Sequence, residues 1–183
     1  IKNTNRPSDA GTVIRETADG DVSEHLITGI AGRKDFTAIH IKKAHMSNEV
    51  GVISRALHIV ERYGVSVEHI PTGVDSFGIV VNAADVRDTI YSIIADIRHE
   101  IEPDDITMVD RLALVSVVGR NMSKRSGTSG KIFGALGEAN INIRMITQSS
   151  EEISIIVGVD NADFDRTISV IYERFVRDEM VLR

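Results

Sequence analysis

The sequence predicts an α+β protein made of two similar βαββαβ units with antiparallel sheets, the first unit being inserted in the second. One observation is an internal repeat: a shift of 76 residues places Met46 on Met122 and Gly51 on Gly127. A repeat of this length indicates a duplicated structural unit. The other observation concerns the number of strands. The second copy lacks a clear last strand, whereas an unassigned strand precedes the first copy.

The first copy shows strand and helix patterns in the order β, α, β, β, α, β. Its first helix has apolar residues at helical spacing, an expected N-cap at Asn48 and an end at Gly64. Turn residues at 71–73 separate two apolar runs, which indicates a hairpin. The pattern predicts strands at residues 36–42, 65–70, 77–81 and 106–109, and helices at about residues 50–63 and 86–97.

The second copy repeats this order but stops after its second helix. It predicts strands at residues 112–118, 141–146 and 153–159, and helices at 130–138 and 164–175. Residues 180–182 are too few to predict a fourth strand. The strand predicted at residues 25–31 is the better candidate to complete the second sheet, because proteins usually cover an unpaired sheet edge. Both units are then ferredoxin-like, a fold that serves many unrelated functions.

Composition and charge narrow the functional classes. The 27 acidic and 21 basic residues give a net charge of -6, which disfavours binding to nucleic acid. An RNA-recognition module shares the strand order but stacks bases on sheet aromatics, and the strands here offer little beyond Phe36 and Phe77. There is no cysteine, and no apolar run approaches the ~20 residues that cross a bilayer. The sequence therefore predicts a cytoplasmic protein that binds neither nucleic acid nor membrane.

Motifs and residue spacing also disfavour catalysis by this chain alone. Residues 127–131 resemble a phosphate-binding loop, but Arg125 and Ile132 stand where that motif needs Gly and Ser or Thr. The six histidines show no spacing typical of a metal site. Glu151 and Glu152 are adjacent, so on a strand they point to opposite faces. We therefore predict no catalytic residue, no metal and no cofactor in this chain.

A binding module is the remaining class. In both units a loop rich in small residues leads into a helix N-terminus, where free amides and the helix dipole favour a carboxylate. An amino acid zwitterion could place its carboxylate there and its ammonium on strand carbonyls. The alternative stays open on this chemistry alone: Gly51 and Gly127 would then serve only tight loop geometry, and Glu68 would be a solvated strand residue.

The residues also resemble a known family, the regulatory region of bacterial aspartate kinase (aspartokinase), which carries two ACT domains. Residues 140–146 followed by 152–157 are similar to the hairpin of its second ACT domain, and this is the most specific match. Residues 67–75 resemble the first ACT hairpin of the lysine-sensitive type. Residues 1–14 resemble the end of the family's kinase domain, so that the resemblance covers essentially the whole chain.

The resemblance implies a domain organisation and a role. It implies the end of a kinase domain and a linker at residues 1–24, a strand of the second ACT unit at 25–34, the first unit at 35–110 and the second at 111–183. The full-length parent is expected to phosphorylate the β-carboxyl of L-aspartate with ATP and Mg in a kinase domain that this fragment lacks. An end product of the lysine, threonine and methionine pathway then inhibits the parent by binding the ACT region.

The resemblance also implies an effector site in the first unit, formed by its loop, the start of its helix and its second strand. The implied effector-binding residues are Met46, Glu49, Gly51, Val52, Ile53, Ser66, Val67, Glu68, Thr72, Gly73 and Asp75. In this family the first units of two chains pair, with effectors at their interface. We therefore expect a homodimer that also contacts the kinase domain of its own chain.

Charge distinguishes the two units as candidate effector sites. The repeat aligns Glu49 with Arg125 and Glu68 with Arg144. A side-chain ammonium that leaves water needs a paired anion, so lysine suits the first unit better than the second. Threonine, alone or together with lysine, is the alternative effector, and a mainly dimerising module is a further alternative.

Overall fold

The computed structural model describes residues 1–11, 26–120 and 122–177. Most of the predicted linker, the first residue of the strand predicted at 25–31 and the apolar residues 180–182 lie outside the described part. The strands are β1 (Gly29–Lys42), β2 (Val67–His69), β3 (Ser76–Asn82), β4 (Asp105–Val118), β5 (Met145–Gln148) and β6 (Ser154–Asp160). The α-helices are α1 (Val52–Arg62), α2 (Ile90–Ile101), α3 (Thr128–Glu138) and α4 (Phe164–Tyr172).

The six strands form one antiparallel sheet in the order β2-β3-β1-β4-β6-β5. In its first half, residues 36–42 of β1 pair with β3 and with the start of β4. In its second half, residues 29–33 of β1 pair with residues 114–118 of β4, which in turn pairs with β6. The early strand thus completes the sheet of the second unit. The predicted α+β fold with an inserted first unit is confirmed.

The strand boundaries between the units differ from the prediction. Residues 29–31 of the strand predicted at 25–31 lie in β1 together with the strand predicted at 36–42, whereas residues 26–28 precede β1. The strands predicted at 106–109 and 112–118 are parts of β4. Register shifts mark the junctions, beside Asp35 at φ 67° and Arg111 at φ 55°. Bulges interrupt the alternation of apolar and polar residues without ending a strand, so the sequence pattern resembles two separate strands.

Three apolar clusters among the described residues hold the sheet. Helices α1 and α2 cover one face of the first half through side chains that include Ile59 and Ile93, and α3 and α4 cover the second half through Leu136 and Ile171. The third cluster lies on the faces that the helices leave uncovered, and its members come from both halves: Phe36, Val80 and Leu112, with Ala38, Leu114 and Met145 against them. The uncovered faces therefore pack against each other.

The sheet must curl for this packing. Strands β2 and β5 are the two ends of the strand order, yet His69 Nε2 lies 2.7 Å from Thr147 Oγ1. This hydrogen bond joins the edge strands of the two units directly. It places a narrow cleft between the two uncovered faces of the sheet.

Several element ends also differ from the prediction. Gly51, not Asn48, is the N-cap of α1, and Asn48 lies in a 3-10 turn at Met46–Asn48. The second helix begins at Ile90 because residues 83–89 form turns. The strand predicted from residue 141 begins at Met145, since Ile141 is held by a backbone hydrogen bond to Leu136 and is buried as a core residue. Ile141 is apolar because it packs in the core, and an apolar residue at this place resembles the start of a strand in the sequence pattern.

Candidate functional site

The loop between β1 and α1 presents a helix N-terminus at one end of the first unit. Gly51 has a φ of 81°, a left-handed conformation that costs glycine little, and its carbonyl accepts the first helical hydrogen bond from Arg55 N at 2.9 Å. The first amides of α1 have no partner within the helix. With the helix dipole, they favour a negatively charged group at this position.

Glu49 is held by two cations of its own chain. Its carboxylate lies 3.2 Å from Lys43 Nζ and also pairs with Arg55. The hydrogen bond from Lys43 is the largest cause that lowers the pKa of the Glu49 carboxyl below its ordinary value. Lys43 Nζ donates as well to the Ile101 carbonyl at 2.8 Å. Glu49 therefore ties the loop to α1 and, through Lys43, to the end of α2.

Strand β2 and helix α1 line an open groove at the edge of the sheet. Its volume is about 840 Å³, with apolar walls from Ile53, Leu57 and Val67 and carboxylates from Glu61 and Glu68. In the described part of the chain β2 pairs only with β3, so its outer edge is open. Glu68 lies 3.3 Å from Arg33 of β1, and its side chain is 35% exposed. This groove combines acid, apolar surface and an unpaired strand edge.

The turn between β2 and β3 lies partly beside the loop and partly behind the sheet. The Asp75 carbonyl accepts a hydrogen bond from Lys43 N at 2.9 Å, which places this exposed residue next to the loop. Thr72 forms a bridge with Phe77, and Gly73 N donates to the Ser76 carbonyl at 2.7 Å. Thr72 and Gly73 line the cleft between the two halves of the sheet instead of the groove.

The predicted effector residues thus divide into separate groups. Ile53, Val67 and Glu68 share the groove, whereas Met46 and Val52 are buried in the core of the first unit. Ser66 is exposed just before β2. Lys43 and Arg55 were missed by the sequence analysis, although both stand six residues from Glu49 and carry the opposite charge.

The second unit repeats the loop with different chemistry. Gly127 has a φ of 84°, and Thr128 Oγ1 donates to the Arg125 carbonyl at 2.8 Å. A cavity of about 460 Å³ there is lined mainly by polar side chains, among them Arg125, Gln148 and Glu152. Arg144 lies 3.5 Å from Asp160. The aligned positions thus differ in their partners, because Glu49 is paired with Lys43 and Arg55, whereas Arg125 lines a polar cavity together with Glu152.

Among the described residues, no group of histidine and carboxylate side chains is arranged to hold a metal ion. Within the same residues, none of the helices combines the length and apolar character needed to span a membrane.

His69 gives the junction between the units a defined pH response. Burial lowers the pKa of its imidazole below the ordinary value of 6.5, so the folded state favours the neutral ring. The unfolded chain then binds more protons below about that pH, so stability is complete above it and falls as the pH drops through the lower folded pKa. We expect His69→Gln to flatten the dependence of the free energy of unfolding on pH between about 7 and 5.

Urea unfolding at a series of pH values measures this slope for both chains. An identical slope in the His69→Gln variant would contradict a shifted histidine at the junction. The control measurement is the slope above pH 7, where both chains should agree because the imidazole is neutral in both states.

Comparisons with known proteins agree with this geometry. A model of the ACT domain family matches residues 115–175. Aspartokinase 3 of Bacillus subtilis is 36% identical over 176 residues, which are 96% of this chain and 38% of the relative. The chain belongs to the aspartate kinase family. It corresponds to the ACT-containing regulatory part of an aspartate kinase, and spans less than half the length of this relative.

Solved aspartate kinases have the same fold. The crystal structure of the Clostridium acetobutylicum aspartate kinase superposes with a TM-score of 0.90 at 46% identity, over 96% of this chain and 40% of that one. Escherichia coli aspartokinase III, solved in complex with lysine and aspartate, gives a TM-score of 0.70 at 22% identity, over 85% of this chain and 34% of that one. The second likeness is one of fold alone.

Proposed function

We propose that this regulatory part binds L-lysine at the first unit and thereby inhibits a kinase domain that phosphorylates the β-carboxyl of L-aspartate with ATP. The observation that carries the proposal is the α1–β2 groove, which sets Glu68 and apolar side chains beside the start of α1. The amides of that helix suit the effector's carboxylate. The carbonyls near Ser66 and Val67 suit its α-ammonium.

The charges around the groove favour lysine over threonine. Glu68 and Glu61 line it, and Asp75 is exposed at the neighbouring turn. An ammonium withdrawn from water needs such a partner, whereas the hydroxyl of threonine does not. Glu49 is a weaker candidate partner, because Lys43 and Arg55 already neutralise it. The lysine in the structure of aspartokinase III, a protein of the same fold, is consistent with this choice.

The open edge of β2 supports a homodimer. Two copies can pair this edge with each other and cover both grooves, which removes unpaired strand edges and encloses the effector. An effector held between two chains shifts their arrangement only by the difference in its affinity for the two states. That difference is typically about 1–3 kcal/mol.

Strand β2 also offers a route to the second unit. Glu68 pairs with Arg33, which stands on the part of β1 that belongs to the second half of the sheet, and His69 pairs with Thr147 of β5. Both contacts start from residues of the three-residue strand that borders the groove. We propose that effector binding changes the second unit, and from there the kinase domain, through these two contacts.

Calorimetric titration of the chain with L-lysine and with L-threonine tests the effector assignment. We expect heat with lysine, and a roughly 10-fold or greater loss of lysine affinity in Glu68→Gln, because hydrogen bonds to charged groups contribute about 1.5–3 kcal/mol. Arg144→Gln is the matched control, since it changes the aligned position of the second unit. Its lysine affinity should equal that of the unchanged chain.

Other outcomes identify the alternatives. Heat with threonine but not with lysine would make threonine the effector, either at this site or at the second unit. No heat with either amino acid, in a chain that sediments as a dimer, would favour a mainly dimerising module. A monomer in the presence of lysine would contradict an effector site at a dimer interface.

A further inference from the structure

A cleft separates the two uncovered faces of the sheet on the side of the β2–β3 turn. Its volume is about 390 Å³, and its lining includes His40, Thr107, Arg144 and Ile146. His40 lies between Gly78 of β3 and Thr107 of β4 in the cross-strand register. One wall therefore comes from the first unit and the other from the start of the β5 hairpin in the second.

Two features keep this cleft open. The cluster of Phe36, Val80 and Leu112 fills the space between the sheet halves at one end, but its buried side chains do not extend to the row of His40. Gly78 in that row has no side chain, and a Cβ there would lie 3.0 Å from Pro71 Cγ. The chain thus leaves a space of the size typical of small-molecule sites, at a junction between units where such sites are common.

The polar side chains that line the cleft can all donate a hydrogen bond. Among the described residues no carboxylate lines it, although the chain carries a net charge of -6. Arg144 and His40 supply nitrogen donors, and Ser76 and Thr107 supply hydroxyls. One guanidinium nitrogen of Arg144 lies 3.5 Å from Asp160, which leaves other donors of the fork available. Asp160 itself accepts a hydrogen bond from Ala162 N at 3.0 Å.

We propose that this cleft binds a small organic carboxylate that lacks an ammonium group. Arg144 would hold the carboxylate as a charge-assisted hydrogen-bond donor, with the hydroxyl of Thr107 beside it. Ala38, Val109 and Met145 offer apolar surface to a short carbon chain. A free amine finds no carboxylate among the described residues of the lining, so the cleft selects against the zwitterions that suit the groove.

A ligand in the cleft would also affect how the two units are arranged. Its walls belong to different units, and the His69–Thr147 hydrogen bond joins their edge strands next to it. A ligand that fits between the walls stabilises one separation of the two units over another. Binding of a ligand in the cleft therefore acts on the same contacts between the units that we propose to transmit the effect of the amino acid.

Titration of the isotope-labelled full chain with butyrate, followed by NMR, tests the site. L-2-aminobutyrate, which has the same carbon skeleton plus an ammonium, is the matched control ligand. We expect saturable shifts at the amides of Gly78, Thr107 and Ile146 with butyrate and at least roughly tenfold weaker binding of 2-aminobutyrate. Arg144→Gln should weaken butyrate binding by a similar factor, and Arg62→Gln, which removes a guanidinium that pairs with Asp96 of α2 away from the cleft, should leave it unchanged.

A second variant distinguishes a cleft from a surface charge. Thr107→Phe fills the cleft from an exposed strand position and keeps Arg144, so butyrate binding should be lost while the spectrum of the folded chain remains. Absence of saturable shifts in the unchanged chain would overturn the proposal. So would equal binding of the two ligands, or unchanged butyrate binding in Arg144→Gln or Thr107→Phe.

Discussion

Removal of residues 1–34 is expected to unfold the second unit while the first unit stays folded. The removed segment contains residues 29–33 of β1, which pair with residues 114–118 of β4. It also contains Leu26 and Ile27, which are 4% and 8% exposed in the core of the second unit. The sheet of the first unit keeps residues 36–42 of β1 and all its own strands.

The burial of the removed side chains gives the size of the expected loss of stability. Each fully buried aliphatic side chain contributes about 1.5–3 kcal/mol, so Leu26 and Ile27 together contribute about 3–6 kcal/mol. The newly exposed edge of β4 also loses its backbone partners, which adds a penalty for the hydrogen bonds left unmade. Typical domains are stable by only about 5–15 kcal/mol. The loss is therefore comparable to the whole stability of the second unit.

Hydrogen exchange followed by NMR measures the two units separately in one sample. Amides of β6 should exchange rapidly in the shortened chain, and amides of β3 should stay protected. A chain that lacks only residues 1–11, all of them exposed, is the control and should protect both strands. Protection of β6 equal to that of the full chain would show that the early strand is dispensable.

Gly119→Ala is expected to destabilise the second unit by about 1–3 kcal/mol, a typical cost of forcing extra volume into a packed site. Gly119 follows β4, and a Cβ there would clash with the Leu26 carbonyl oxygen and lie 3.1 Å from Ile27 Cα. These atoms are backbone and cannot rotate away. The alanine must therefore displace the segment whose removal unfolds the second unit.

Gly29→Ala provides the control for this substitution. Gly29 stands at the start of β1, and a Cβ there would have no neighbour within 4 Å. That change should be neutral or slightly stabilising, because alanine reduces the conformational entropy of the unfolded chain. Urea unfolding compares the two variants with the unchanged chain. Equal midpoints for Gly119→Ala and the unchanged chain would mean that residues 26 and 27 do not pack as described.

The repeat and the missing last strand predicted the architecture because both are properties of pattern. A strand without a partner can be recognised wherever it lies in the sequence, and the early strand proved to pair with residues 114–118. The continuity of β1 and β4 was not predictable in the same way. A bulge at Asp35 or Arg111 changes the face of the sheet on which the following side chains lie. In the sequence, this break in the alternation resembles the end of a strand.

The candidate site, too, was predictable from the sequence in part only. The loop glycines and the acidic residues of the first unit were recognisable from spacing and charge. Which acids remain available to a ligand was not, because Lys43 and Arg55 reach Glu49 only when the loop, β1 and α1 are folded together. Thr72 and Gly73 follow β2 closely in sequence, yet the turn carries them to the opposite face of the sheet.

The sequence by itself determined that this protein consists of two interlocked α+β units with opposite charges at aligned positions, since periodicity, turn chemistry and charge are local. Only the tertiary structure decided that the sheet curls until His69 meets Thr147, and that a cleft lies between the units whose described lining residues include no carboxylate. The physical reason is that this contact joins residues 78 positions apart, and its geometry depends on the twist and bulges of every strand between them.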